Sequence, residues 1–162
     1  MAKKHLSIGP EPGAASLSCP ELPVERLFAL EPGQWGGYEY QAREERRDVG
    51  NVTLTQYGMG CSGLVLYTEE SISQPLVDFL QKTATHYETA VFVSRYGRYL
   101  AVRAVADLAS NPQAAIYRLR RPSGRLTNAQ FISQQFADFL VANYDTSGIC
   151  IVPKDPGEVV DG

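Results

Sequence analysis

The sequence is poor in the residues that build metal, disulfide and catalytic sites. It contains three widely spaced cysteines, Cys19, Cys61 and Cys150, and two histidines, His5 and His86. An odd number of cysteines without a Cys-x-x-Cys pair predicts free thiols rather than a disulfide framework or a cysteine-based zinc site. We therefore expect neither a bound metal nor a cofactor.

Long apolar runs are also missing. No stretch reaches the roughly 18 apolar residues that a membrane-spanning helix needs. The segment before Pro10 lacks the apolar core of a secretory signal. We expect a cytoplasmic protein that makes no membrane contact.

The net charge of −3 is unevenly distributed. From Arg95 to Arg125 the chain has seven arginines, one acid and no lysine, so this stretch carries +6 and the remainder −9. A phosphate or an acidic partner would suit such a basic stretch. The candidate anion-binding residues are Arg95, Arg98, Arg118, Arg120 and Arg121. The aromatic and glycine pattern of an RNA-binding module is missing, which argues against nucleic acid as a partner.

Alternating apolar and polar residues predict a sheet built around Gly50 to Tyr67. Two strands there flank the small residues at positions 58, 60, 62 and 63. These glycines join strand to strand, whereas a phosphate-binding loop would open a helix. Further strands are predicted near 38–43, 115–120 and 148–152, and a hairpin turns at 95–98 between 90–94 and 99–103.

Two main helices are predicted beside these strands. The first occupies 71–87, with Ser73 as its cap and Pro75 in its first turn. The second runs from the capping box of Thr127 and Gln130 to about Asn143. A shorter helix is predicted over 24–30. The prediction is an α+β fold: a mainly antiparallel sheet of about six strands with two main helices packed on it.

Composition divides the chain into three parts. Residues 1–23 are rich in proline, glycine and serine and are expected to form a flexible arm. A single α+β domain covers 24–152. The last residues, 153–162, are expected to form a flexible acidic tail.

A catalytic role is poorly supported. Cys61 lies in a nucleophile-like Gly-Cys-Ser-Gly turn, but its base would have to be His86, which is predicted to end the first helix. His86 and Glu88 also match half of a zinc deaminase signature, whose Pro-Cys-x-x-Cys half is missing. We expect a protein that is not an enzyme.

A binding role is supported by a local group of aromatic and acidic residues. Tyrosine and tryptophan supply much of the energy of protein interfaces, although the same aromatics can also pack a first strand into the core. The candidate partner-binding residues are Trp35, Tyr38, Glu44, Glu45 and Asp48.

Two stretches resemble the SUKH superfamily, which groups a yeast cell-wall-assembly regulator with bacterial immunity proteins. Gly50–Tyr67, with Tyr57-Gly58-Met59-Gly60-Cys61 and then Leu64-Val65-Leu66, is similar to the strand, glycine- and cysteine-containing turn and strand of that family. Ala115–Leu140 resembles its final strand, turn and closing helix. The opening helix with a Leu-Pro segment and an Asn-Gly-Gly turn is absent, apart from Leu22-Pro23.

The resemblance implies a protein that neutralises a cognate toxin by binding it. An acidic immunity protein would suit a basic toxin, because opposite potentials speed encounter. The alternative is a small ligand- or phosphate-binding regulatory domain that uses the arginine-rich face.

Overall fold

The computed structural model describes residues 5–10, 16–19, 33–45, 58–62, 65–95, 97–127 and 129–155. These residues form eleven strands and two α-helices. The strands are β1 (His5–Pro10), β2 (Ser16–Ser18), β3 (Glu39–Gln41), β4 (Arg43–Glu45), β5 (Gly58–Ser62), β6 (Val65–Glu69), β7 (Tyr87–Ser94), β8 (Gly97–Ala104), β9 (Ile116–Tyr117), β10 (Gln130–Ile132) and β11 (Asp145–Lys154). The helices are α1 (Gln74–Lys82) and α2 (Gln134–Asn143).

Nine of the strands make one mixed sheet in the order β3-β7-β8-β6-β5-β11-β1-β10-β9, and β2 pairs with β4 separately. The pairs β3–β7 and β11–β5 are parallel, and the other pairs are antiparallel. The segment after β9 also returns to the segment after β8, where the backbone N–H of Arg118 donates to the carbonyl of Ala106 over 3.0 Å. The sheet therefore curls back on itself.

Side chains pack on both faces of this sheet. On β8, Val102 and Ala104 join the core beneath α1 and α2, whereas Tyr99 and Ala101 join a second core on the opposite face. This alternation follows from the period of two along a strand. Buried residues of the second core are Leu17, Trp35, Val65, Tyr67, Ala90, Phe92, Tyr99 and Ala101.

The α+β class and the two main helices are confirmed, but the sheet is larger than predicted and is mixed. The predicted β7–β8 hairpin is confirmed, but Gly97 and Arg98, predicted to lie in its turn, already belong to β8, where Gly97 has a φ of 137° and pairs with Ser94. The predicted short helix at 24–30 lies outside the described residues.

Residues assigned to a flexible arm instead form strands. Within 1–23, β1 lies between β10 and β11, and β2 pairs with β4. At the other end, β11 extends to Lys154, two residues into the expected tail. Proline and glycine lower strand propensity, but β1 gains backbone partners on both sides.

The small residues around position 60 also form a strand rather than a connection. Gly60 lies opposite Tyr67 in the β5–β6 pair. A Cβ at Gly60 would be 2.3 Å from Cε2 of Tyr67, so the glycine makes room for the tyrosine ring. The hydroxyl of Tyr67 accepts a hydrogen bond from the backbone N–H of Leu17 over 2.8 Å, which ties β2 to the sheet.

Both helices are shorter than predicted. Ser73 precedes α1, but its hydroxyl donates to the carbonyl of Glu70 and does not cap the helix. The predicted capping box is wrong: Gln130 is buried in β10, where its Oε1 accepts from the backbone N–H of Ala104 over 2.7 Å. The cap of α2 is Ser133, whose Oγ accepts from the N–H of Phe136.

Candidate binding surface

The loop at 33–38 is attached to β7 by hydrogen bonds from its backbone N–H groups. The N–H groups of Gly33 and Gly36 donate to Oε2 of Glu88 over 3.1 and 2.8 Å, and the N–H of Gly37 donates to the carbonyl of Thr89 over 2.7 Å. A Cβ at Gly36 would lie 2.7 Å from the same carboxylate oxygen. Glycine is therefore required for the loop to approach Glu88 this closely.

Trp35 lies at the centre of this loop and is 0% exposed. Its ring stacks on Tyr40 with the centroids 6.5 Å apart and meets the edge of Phe92 at 6.4 Å. The guanidinium carbon of Arg103 lies 5.5 Å from the ring centroid, within range of a cation–π interaction. Trp35, predicted as a partner-binding residue, is thus a core residue.

Arg103 is the buried cation of this region, at 1% exposure, and its Nη2 lies 3.1 Å from Oε1 of Glu88. One carboxylate therefore holds both the loop and the arginine beneath the tryptophan. Sequence reasoning did not select Arg103. Its position in phase with the apolar Tyr99 and Ala101 was the available signal, because alternate residues of a strand share a face.

Tyr38 is the large aromatic residue of this region that reaches solvent, at 57% exposure. It precedes β3, the outer strand of the sheet. The carbonyl of Tyr38 accepts from Val91, and the N–H of Ala42 donates to Val93, over 3.0 and 2.8 Å. Because bonding residues alternate along a parallel pair, the peptide groups of Glu39 and Gln41 point away from β7. In the described part of the sheet, no strand lies beyond β3.

The acidic members of the predicted partner site lie further along the chain. Glu44 and Glu45 belong to β4, opposite Leu17 and Ser16 of β2. They follow β3 by a few residues, so they continue the chain from Tyr38. Asp48 lies outside the described residues.

The predicted anion-binding arginines do not form one surface. Arg95 lies exposed in the β7–β8 turn. Arg98 donates hydrogen bonds to Glu39 and Glu70 over 2.7 and 2.9 Å, and the bonds to Glu70 and then to Glu39 raise its pKa. Arg98 lies near the start of β8, about 17 Å along an extended strand from Arg103, the arginine whose charge acts on Arg118.

The remaining three arginines lie near the end of β9. Arg120 pairs with Asp107 over 2.9 Å, and the pKa of Asp107 is lowered by a hydrogen bond from Ser110 and then by Arg120. Arg121 is half-buried. Arg118 is 8% exposed, and its Nε donates to the carbonyl of Thr127 over 2.8 Å. Of the five predicted residues, Arg98 and Arg120 are thus engaged by carboxylates of the chain.

Arg118 and Arg103 lie close enough to interact. Burial, and then the positive charge of Arg103, lower the pKa of Arg118 to about 10. The sequence presents the partner-binding and the anion-binding residues as alternative sites. Arg103 connects the two, because it contacts Trp35 and its charge lowers the pKa of Arg118.

Cys61 and His86 do not form a catalytic pair. Cys61 is buried on the helical side of the sheet, and burial raises the pKa of its thiol to about 12. The side chain of His86 is exposed and makes no hydrogen bond to the described residues. A buried thiol that stays protonated is a poor nucleophile.

Within the described residues, no group of three or more His, Cys, Asp or Glu side chains is placed to hold a metal ion. Neither of the two helices has the length and apolar character needed to cross a bilayer. Comparison of the chain with known protein families, with curated proteins and with solved structures finds no match.

Proposed function

We propose that the protein is a non-catalytic binding protein that neutralises a partner protein, a bacterial toxin, through the surface around Tyr38. The observation that carries this proposal is the exposure of Tyr38 beside β3, the strand at which the described part of the sheet ends. Aromatic anchors supply much of the energy of protein interfaces. An open edge also offers unpaired peptide groups to a partner strand.

The packing beneath Tyr38 supports this proposal because it makes the surface rigid. The loop that carries Tyr38 is held by Glu88 and by the buried Trp35, so its backbone would lose little freedom on binding. Binding to a preorganised backbone costs less ordering entropy. Two acids, Glu44 and Glu45, follow shortly after Tyr38 in the sequence, and their charge would suit a basic partner.

The toxin-neutralising role comes from the resemblance to the SUKH superfamily. The structure departs from the first stretch of the resemblance, because β5 occupies the segment expected to turn and the strand expected before it lies outside the described residues. In the second stretch β9 precedes α2 as the resemblance implies, but β10 lies between them and β11 follows α2. The alternative role, a small-ligand or phosphate regulator, retains support chiefly from Arg118.

The test uses tagged wild-type protein and two variants as baits in the native host. Tyr38→Ala removes the proposed anchor. Val141→Ala is the matched control, because Val141 is an exposed apolar residue on α2 in the helical layer. A protein retained by wild type is identified by mass spectrometry, purified and titrated against all three by calorimetry.

We expect Tyr38→Ala to weaken binding by about 2 kcal/mol or more, roughly thirtyfold, and Val141→Ala to change it little. The partner should also arrest growth when expressed alone and lose this effect when the wild-type protein is coexpressed. Equal affinities of the two variants would exclude the Tyr38 surface. A partner that is harmless when expressed alone would exclude toxin neutralisation.

A further inference from the structure

Arg118 is a buried cation whose binding capacity is mostly unused. Only its Nε has a hydrogen-bond partner in the described part of the chain, the carbonyl of Thr127. No carboxylate of the described residues lies within ion-pair distance of it. The two terminal nitrogens are not fully enclosed, so they reach solvent and an anion can approach them. A bound anion would offset the cost of holding this charge in a largely buried position.

The nearby carboxylates are already engaged. Glu88 binds Arg103 and the loop at 33–38, and Asp107 binds Arg120 and Ser110. Residues 113–127 contain four arginines and no acid. The described part of the chain therefore offers Arg118 no carboxylate within ion-pair distance, and the charge of Arg103 adds to the positive potential around it.

We propose that Arg118 is the anchor of a binding site for a small oxyanion, a carboxylate or phosphate group. Since Nε is held by Thr127, the two terminal nitrogens remain as a pair of parallel donors. A guanidinium used end-on in this way binds two oxygens of one oxyanion at once. The hydrogen bond from Nε fixes the orientation of the fork before the ligand arrives.

This site is distinct from the proposed partner surface and uses Arg103 for its potential only. The arginine-rich stretch as a whole does not form the site, because Arg98 and Arg120 are neutralised by their own partners. A ligand carrying one negative charge would leave the Arg118 site electrically balanced. A phosphate would gain further from the field of Arg103.

The test follows the Nε–Hε signal of Arg118 by two-dimensional NMR of uniformly ¹⁵N-labelled protein. Sodium acetate and sodium phosphate are titrated separately, with sodium chloride holding the ionic strength constant. We expect a saturable shift of the Arg118 signal with at least one of the two anions, and the tighter one identifies the head group. The signal of Arg98, whose guanidinium is already paired, should show no saturable shift.

Two variants complete the experiment. Arg118→Lys keeps the charge but loses the two parallel donors of the guanidinium. It should lower the affinity for the anion by about tenfold or more, because one charge-assisted hydrogen bond is lost. Arg98→Lys is the matched control and should bind as wild type does. A wild-type Arg118 signal that shifts only linearly with both anions would overturn the proposal, whether or not Arg118→Lys folds. Unchanged affinity in folded Arg118→Lys would overturn it equally.

Discussion

Removal of the Glu88 carboxylate is the most direct test of how the loop at 33–38 is held. Glu88 accepts hydrogen bonds from two backbone N–H groups, those of Gly33 and Gly36, and forms an ion pair with Arg103. The substitution Glu88→Ala removes all three of these interactions. It also takes away the one carboxylate that the described residues place within ion-pair distance of Arg103.

The burial of the two partners sets the magnitude. Arg103 is 1% exposed and Glu88 is 12% exposed, so the arginine would lose its Glu88 partner inside the core. Breaking a buried pair in this way costs about 3–5 kcal/mol. Exposed pairs contribute about 0–1 kcal/mol, so Arg98→Ala, at a site whose side chain is 48% exposed, is the matched control. We expect Glu88→Ala to lower the free energy of unfolding by at least 2 kcal/mol more than Arg98→Ala.

Urea unfolding at neutral pH, followed by circular dichroism, measures both variants. A double-mutant cycle with Gly36→Ala adds a geometric check. In the wild type the new Cβ meets Oε2 of Glu88 at 2.7 Å, and overpacking of this kind costs about 1–3 kcal/mol. Without that oxygen, Gly36→Ala should cost less. The described role of Glu88 would be refuted by two results together. Glu88→Ala and Arg98→Ala would lower the free energy of unfolding by amounts within about 1 kcal/mol of each other, and Gly36→Ala would cost the same with and without Glu88.

Two further predictions concern the sheet. Gly60→Ala should lower the free energy of unfolding by about 1–3 kcal/mol, because the new Cβ would overlap the ring of Tyr67. Gly9→Ala, with open space around its Cβ, is the control and should lower it by less than about 1 kcal/mol in the same urea assay. Similar losses at the two glycines would contradict the close approach of Gly60 to Tyr67. Burial raises the pKa of Tyr117 from 10.0 to about 12, so the folded state holds this proton more tightly and the stabilisation it gives is lost as the pH rises from 10 toward 12. Over this window the free energy of unfolding should fall less steeply in Tyr117→Phe than in wild type, and parallel curves would exclude a shifted Tyr117.

Local patterns predicted the parts of the fold that local interactions determine. The β7–β8 hairpin follows from two alternating runs around a glycine turn, and Pro75 lies in the first turn of α1 as expected. The location of β1 was not predictable in this way. Its partners are more than a hundred residues away, as in the pairing of Leu6 with Ile132, and its own composition favours a loop.

The misplaced start of α2 has a similar cause. Thr127 and Gln130 have the spacing of a capping box, but their side chains are used elsewhere. The hydroxyl of Thr127 accepts from the N–H of Leu119 and donates to the carbonyl of Ala129, while Gln130 binds Ala104. Tertiary hydrogen bonds across the curled sheet outweigh the local motif.

The candidate site was predictable only in part. Tyr38 was predicted as a partner-binding residue; its side chain is exposed just before the outer strand β3, and partner binding itself stays a prediction. Trp35 was misplaced because the sequence does not reveal that Arg103 and Phe92 cover its ring. The difference among the arginines depends on distant carboxylates such as Glu39 and Glu70, which the spacing of Arg98 does not indicate.

The position of β1 has a consequence for biosynthesis. Among the described strands β1 is translated first, whereas its neighbours β10 and β11 are translated last. It must wait for these partners until more than a hundred further residues have been translated, and such distant pairings slow folding. A circular permutant that joins β1 directly after β11 by a short linker would make the contact local, and its refolding rate should exceed that of the natural chain order.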